Sequence, residues 1–457
     1  MTALLNRRLW PALILAVCLG LLLPPAAPGA QETADSRPPA PRRSSIILIV
    51  AQGIGCGDLS CYGSTTTKTP NLDRLAKEGA RFTSFYSAST ADSVARAALM
   101  LGYNTGHLNL HDDSSDMKLG TKDVTFSQLL ESSGYRTTLS GVWGFGNGAA
   151  GLPQKRGFGQ FVGFLDNAKP VDDYPEFVHR FQPANVLGEA FDGRVQLYKN
   201  AGGKHDQHVV EVLTDVAMNA ARINKPEFYN QYQPFFVMLS YPLPQSAAES
   251  RTDRDKFVTR MDEGIGLLLD RLEALKIETN TIVMFTSTGH GAGHTSNTNM
   301  LSDADLRVPM IVRWPARLNP VTVSEPWAAW DIFPTMMAIA RKDSPANIDG
   351  ISFYPMLKGQ SQTNHHDFLY WESRDHGFQQ AARTGYWKAI RLSSGEKPAL
   401  YDLNTDPEEK KDVADEHPEV VEKFEKYFKS LRAESEKSST RQSEKNSDHA
   451  VKQNSAS

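Results

Sequence analysis

The chain has 457 residues, 40% of them hydrophobic and 22% charged, with 49 basic side chains against 53 acidic ones. A formal charge of −4 leaves no basic footprint, so nucleic acid is not an expected partner. With 33 glycines and 26 prolines the chain is neither collagen-like nor wholly disordered, and three cysteines are too few for a disulfide scaffold or a four-cysteine zinc site.

Residues 1–30 read as a signal peptide: Arg7 and Arg8, an apolar run from Leu9 to Leu23, then small residues from Ala26 to Ala30. The apolar run is about 15 residues, short of the roughly 20 that span a bilayer. The expectation is a secreted or periplasmic protein with no membrane span once the signal is removed. Residues 31–44 form a Pro-rich linker. Cys56 and Cys61 stay in the mature chain, where an oxidising compartment would permit a bridge and burial would keep free thiols.

From Ser45 the pattern is that of an α/β protein. Ile46 to Val50 is a continuous β-branched and aliphatic run, as a strand buried on both faces requires. Thr69-Pro70 opens a helix, with Thr69 as its cap, and Gly79 closes it. Further strands are expected at Phe235 to Tyr241, Thr281 to Ser287 and Val308 to Val312. Helices are expected at Thr125 to Ser133, His208 to Ile223 and Asp253 to Leu275. This alternation predicts a mostly parallel sheet covered on both faces, with functional groups in loops at the carboxyl ends of the strands. After about Lys342 short aromatic segments around Phe368, Tyr386 and Tyr401 predict a small antiparallel sheet, followed by an amphipathic helix from about Pro418 to Arg432. The expected division is a main domain over 45–342, a C-terminal α+β subdomain over 343–433, and a disordered polar tail over 434–457.

Several segments, in order, resemble the sulfatase family of the alkaline phosphatase superfamily. They are Gly57-Asp58-Leu59-Ser60-Cys61-Tyr62-Gly63, Thr69-Pro70-Asn71-Leu72-Asp73-Arg74, Arg96-Ala97-Ala98-Leu99-Met100, Arg307-Val308-Pro309, Asp349-Gly350-Ile351 and Leu400-Tyr401-Asp402-Leu403. The resemblance implies an alkaline-phosphatase-like α/β/α sandwich with a mostly parallel central sheet. It also implies a chemistry: a Cys in C-x-P-S-R oxidised to formylglycine, a calcium ion held by two Asp after the first strand and an Asp-Asn pair after a later one, and Lys and His on the sulfate.

Measured against that chemistry the site residues have changed. The first strand runs into Gln52-Gly53 where the family has two Asp, and the later strand into Thr288-Gly289 where it has Asp-Asn. The C-x-P-S-R segment reads Asp92-Ser93-Val94-Ala95-Arg96, so no aldehyde can form at 92, and Arg96 alone stays in register. Val142 replaces a sulfate-binding Lys and Gln245 a His. Four oxygen ligands crowd together only around a dication, so their joint replacement implies that no cofactor is expected where the family uses Ca2+.

The resulting expectation is a secreted, catalytically inactive sulfatase-like protein kept as a binding or assembly module. Its partner would be a polysaccharide, sulfated or not, or an active sulfatase paralogue. The alternative is a hydrolase acting on a sulfuric or other ester through a rebuilt site, with Asp92, Ser93 or His290 as its catalytic groups. The bland reading of Asp92 places its charge at a helix start with Arg96 four residues on. His290 and His294 have a metal-like spacing in a loop; His205 to His208 read as a helix cap, His107 as a satisfied histidine, and Lys388 equally as part of a family-like element near the pocket or as a snorkelling side chain.

Overall fold

The structure, a computed structural model, describes residues 42–108, 118–148, 151–166, 171–184, 188–227, 233–289, 301–315, 317–374 and 377–431. The expected signal and tail, residues 31–41 of the expected linker, and His290 and His294 lie outside the described residues.

Strands in the first part of the chain are β1 (Ser45–Ala51), β2 (Ala80–Phe82), β3 (Phe85–Tyr86), β4 (Arg136–Val142) and β5 (Gln160–Phe164). Next come β6 (Phe177–Gln182), β7 (Phe191–Gln196), β8 (Phe235–Tyr241), β9 (Thr281–Ser287), β10 (Met310–Arg313), β11 (Val321–Val323) and β12 (Trp327–Ala328). The last four are β13 (Leu369–Ser373), β14 (Gln379–Thr384), β15 (Trp387–Arg391) and β16 (Ala399–Asp402). Among the helices are α1 (Pro70–Lys77), α2 (Asp92–Leu101), α3 (Phe126–Ser132), α4 (Val209–Asn224), α5 (Gln245–Glu249) and α6 (Arg251–Ala274). They are followed by α7 (Asp303–Leu306), α8 (Ile332–Ala340) and α9 (Tyr354–Leu357).

Among the described residues, ten strands form one sheet in the order β11-β2-β10-β9-β1-β8-β4-β5-β6-β7. β9, β1, β8, β4 and β5 run parallel, and β10 lies antiparallel to β9. β1 is buried along its whole length, and its alternation splits two cores. Ile46, Leu48 and Val50 pack with α2, α3 and α8, whereas Ile47, Ile49 and Ala51 pack with α1, α4 and α6. This is the layered α/β/α arrangement that the strand–helix rhythm predicts. No helix among the described residues is long and apolar enough to cross a membrane.

Local chemistry sets the element ends. Thr125 and Gln128 close a capping box at the start of α3. Thr69 sits at the head of α1, but its hydroxyl accepts from Ser60 N at 3.0 Å instead of capping the helix. Gly79 is needed for close approach rather than as a helix stop, because a Cβ there would lie 2.0 Å from the Val312 carbonyl oxygen.

The second sheet, β13-β14-β15-β16, is antiparallel. Trp371, Ala381 and Ile390 on one face join the main core, and Trp371 Nε1 donates to Ser87 O at 2.8 Å. Tyr370, Ala382 and Leu400 on the other face pack under the helix over 418–431 through Phe424 and Phe428. The short aromatic runs marked three of its strands; β14, a Gln-Gln-Ala-Ala stretch, carried no such signal.

Candidate functional site

The loops leaving β1 and β9 meet above the carboxyl ends of two neighbouring parallel strands, and α2 begins between them. Gln52 N–H donates to Tyr241 O, and Thr288 N–H to Ala51 O, each at 3.0 Å, so both loops start as extensions of the sheet. Gly53 turns the first loop with a φ of +65°, and its Cα face lies against Leu243, whose Cδ2 would be 3.1 Å from a Cβ.

These loops converge on one carboxylate. Gln52 Nε2 donates to Asp92 Oδ2 at 2.7 Å, and Thr288 Oγ1 donates to Asp92 Oδ1. Gln52 is fixed from its other end, since Leu243 N–H donates to its Oε1 at 3.2 Å. A Cβ built on Gly289 would stand 3.7 Å from Asp92 Oδ1 and 4.0 Å from Gly53 Cα. Gln52, Gly53, Thr288, Gly289 and Asp92, separated by up to 237 positions, therefore form one cluster. Asp92 opens α2, where the free N–H groups of the first turn favour a negative charge.

Arg96 lies one turn deeper and is only 1% exposed; its Nη1 donates to Ser240 Oγ at 2.6 Å. Val142 ends β4 fully inside. Gln245, the first residue of α5, turns away to Glu249, donating from Nε2 to Oε1 at 2.8 Å. Ser93 is buried within α2.

A buried charge group behind the first loop has no counterpart in the residue-by-residue reading. Asp58 accepts from Gly55 N at 2.9 Å and pairs with Arg254 Nη2 at 2.8 Å and Arg251 Nη1 at 3.3 Å. Arg254 also donates to Gly53 O, so α6 clamps the loop that carries Gln52. Arg254 sits among the apolar positions of α6, which is the signal that could have marked it.

The other polar groups are engaged elsewhere. His107 Nδ1 meets Asp349 Oδ1 at 2.7 Å, and His208 Nδ1 accepts from Val210 N at 3.2 Å at the head of α4. His205 stacks on Tyr174. Lys388 does not snorkel; it is buried and ion-paired to Glu409 Oε1 at 2.7 Å. Cys56 and Cys61 are free thiols, and burial pushes each up to about 12, so both stay protonated and unreactive at neutral pH.

The cluster does not fit a calcium ion. Calcium takes six to eight oxygen ligands, several of them carboxylate. Here a single carboxylate has both oxygens taken by donor groups, and the side chains at 52 and 288 present N–H and O–H toward it. Among the described residues no group of three His, Cys, Asp or Glu is gathered as a metal site would need.

Fold and site together define an α/β/α protein with a hydrolase fold and a polar cluster at the carboxyl ends of β1 and β9. The chain belongs to the sulfatase family: the family model Sulfatase matches residues 44–342, and the model of the N-sulphoglucosamine sulphohydrolase C-terminal region matches 295–434. It is 26% identical to N-acetylgalactosamine-6-O-sulfatase of Bacteroides thetaiotaomicron, over 86% of this chain and 93% of that protein. It is 28% identical to human arylsulfatase A, over 86% and 87% of the two chains. Among solved structures it resembles Ps i-CgsB in complex with k-i-k-neocarrahexaose, with a TM-score of 0.70, 24% identity, and coverage of 84% and 93%. A second is a complex with the substrate D-glucosamine-2-N,6-O-disulfate, with a TM-score of 0.68, 18% identity, and coverage of 86% and 99%.

Proposed function

We propose that this sulfatase-family chain has given up sulfate-ester hydrolysis and acts, outside the cytoplasm, as a binding or assembly module for a polysaccharide. The observation that carries the reading is the carboxylate of Asp92 held between the Gln52 amide and the Thr288 hydroxyl. In the family's register those three positions belong to the nucleophile and two metal ligands, and the cluster has replaced a dication with two hydrogen-bond donors. Nucleophile and metal are then lost together, and the loss of even one oxyanion donor lowers a rate by about 10²–10³. Among the described residues, the side chains seen bonded to this carboxylate are an amide and a hydroxyl, neither of which takes up a proton at neutral pH.

The ligand class is supported by the relatives, whose names refer to sugars or their sulfates: an N-acetylgalactosamine-6-O-sulfatase for the Bacteroides protein, a neocarrahexaose and a glucosamine disulfate for the two solved complexes. A sulfated or related polysaccharide is therefore the proposed ligand, and the signal-like residues 1–30 support an exported location.

The test is an aryl sulfate assay of the purified protein with millimolar calcium, run beside Asp92→Ala and beside melting with and without calcium. The expected results are no turnover above the uncatalysed rate and no calcium-dependent rise in Tm, because a cation that binds only the folded state would raise it. Turnover abolished by Asp92→Ala would overturn the proposal, as would a clear calcium-dependent stabilisation.

A further inference from the structure

The ten-stranded sheet ends at β7, and among the described residues no strand pairs with its outer side. Such an edge is a template for pairing with another chain. Which groups it offers follows from the ladder to β6. Leu197 N–H, one residue beyond β7, donates to Glu176 O at 2.8 Å, which makes that pair a hydrogen-bonded one. Antiparallel pairs alternate. Phe191, Gly193 and Val195 therefore bond inward to Gln182, Arg180 and Val178, and the N–H and C=O groups of Asp192, Arg194 and Gln196 face outward.

We propose that β7 pairs antiparallel with β7 of a second copy of this chain, about a two-fold axis at Gly193. Outward groups must meet outward groups, so only alternate registers are allowed. Setting Asp192 against Asp192, or Arg194 against Arg194, opposes like charges. The register centred on Gly193 sets Asp192 against Arg194 twice and Phe191 against Val195 twice. Opposite-charge pairs and aromatic–β-branched pairs are both favourable across strands. The two outward pairs exchange about four main-chain bonds.

The side chains around the edge are suited to this contact. Asp192, Arg194 and Gln196 are exposed, and Phe191 is 43% exposed. Arg194 is held straight by stacking over the Phe177 ring at 3.8 Å, while Asp192 is steadied by His179 Nε2 at 2.7 Å and Gln154 Nε2 at 2.9 Å. On the α4 side, a groove of about 340 Å³ beside the strand is lined by Val178, Val195, Leu197, Val216 and Ile223, with Arg180 and Gln182 among its polar groups. Phe191 of the second copy, directly across from Val195, comes to rest at the mouth of that groove. Strand pairing with one apolar anchor per side is small beside the 1,200–2,000 Å² or so of a standard interface, so the dimer is of the micromolar class.

Sedimentation velocity of the purified protein from about 1 to 100 µM tests this, with thermal melts confirming that each variant is folded. The wild type is expected to shift from monomer to dimer across that range. Asp192→Arg alone and Arg194→Asp alone each place like charges across the axis and stay monomeric. An equimolar mixture of the two restores opposite charges at both pairs and sediments as a heterodimer. A wild type that stays monomeric at the highest concentration, a single variant that dimerises as the wild type does, or a mixture that stays monomeric would each overturn the proposal. If Asp192→Arg does not fold, because it removes the His179 and Gln154 contacts, the wild type and Arg194→Asp decide the matter between them.

Discussion

Asp92 shows how one carboxylate can tie two loops together with a donor on each of its oxygens. Each carboxylate oxygen has a donor, and the Gln52 amide is itself held by Leu243 N–H, so the donors arrive already oriented. Removing the acceptor strands both donors in a half-buried position. Asp92→Ala should therefore destabilise the fold by about 1–3 kcal/mol, the cost of leaving such groups unsatisfied. Asp92→Asn keeps an acceptor oxygen toward one donor and should cost less than Ala. Urea unfolding of the two variants checks the order; an Ala variant as stable as wild type would show that Asp92 is not what holds the two loops together. The resemblance singled out positions 52, 92 and 288. That Gln52 and Thr288 both bond to Asp92 was not legible, because it depends on loop paths from strands 236 positions apart.

At the scale of elements, the sequence announced what burial enforces. β1, β8 and β9 are mostly apolar along their whole length because both their faces are covered, and all three were readable. β6 and β7 were not: each has one face partly open, and Phe-Val-His-Arg-Phe-Gln and Phe-Asp-Gly-Arg-Val-Gln mix charge with bulk. α6 was readable as a helix, but its buried arginine was not readable as a clamp. Arg254 and Asp58 are both about 2% exposed, and Arg254 joins α6 to the loop that follows β1. Arg254→Leu leaves the Asp58 charge buried with only the more exposed Arg251 beside it. A loss of about 3–5 kcal/mol is expected, as for removal of one partner of a buried ion pair. Asp58→Asn combined with Arg254→Leu should recover part of that loss in chemical denaturation. A single variant within about 0.5 kcal/mol of wild type would mean the pair is not isolated from water.

Across the whole molecule, the end of β12, which pairs with β3, and the segment leading to the C-terminal sheet are joined at Asp331. Its Oδ2 accepts from Ala328 N, and its Oδ1 from Ile351 N and His366 Nε2, each at 2.8 Å. Asp331 is fully buried, and the His366 ring also faces Trp327 and lies near Glu325, His365 and Asp349. Burial alone would lower the pKa of His366. The Asp331 charge and hydrogen bond, helped by Asp349 and Glu325, outweigh it and raise the pKa above the ordinary imidazole value. Because the folded state binds this proton more tightly than the unfolded chain, the resulting stability is complete below about pH 6.5 and is lost as pH rises through the raised value. His366→Gln keeps a donor for Asp331 but removes the titration. The Tm difference between wild type and His366→Gln is therefore expected to be largest in mildly acidic buffer and to shrink steadily toward alkaline pH. A difference that grows as pH rises would mean that His366 is held neutral and that burial, not Asp331, sets its proton affinity.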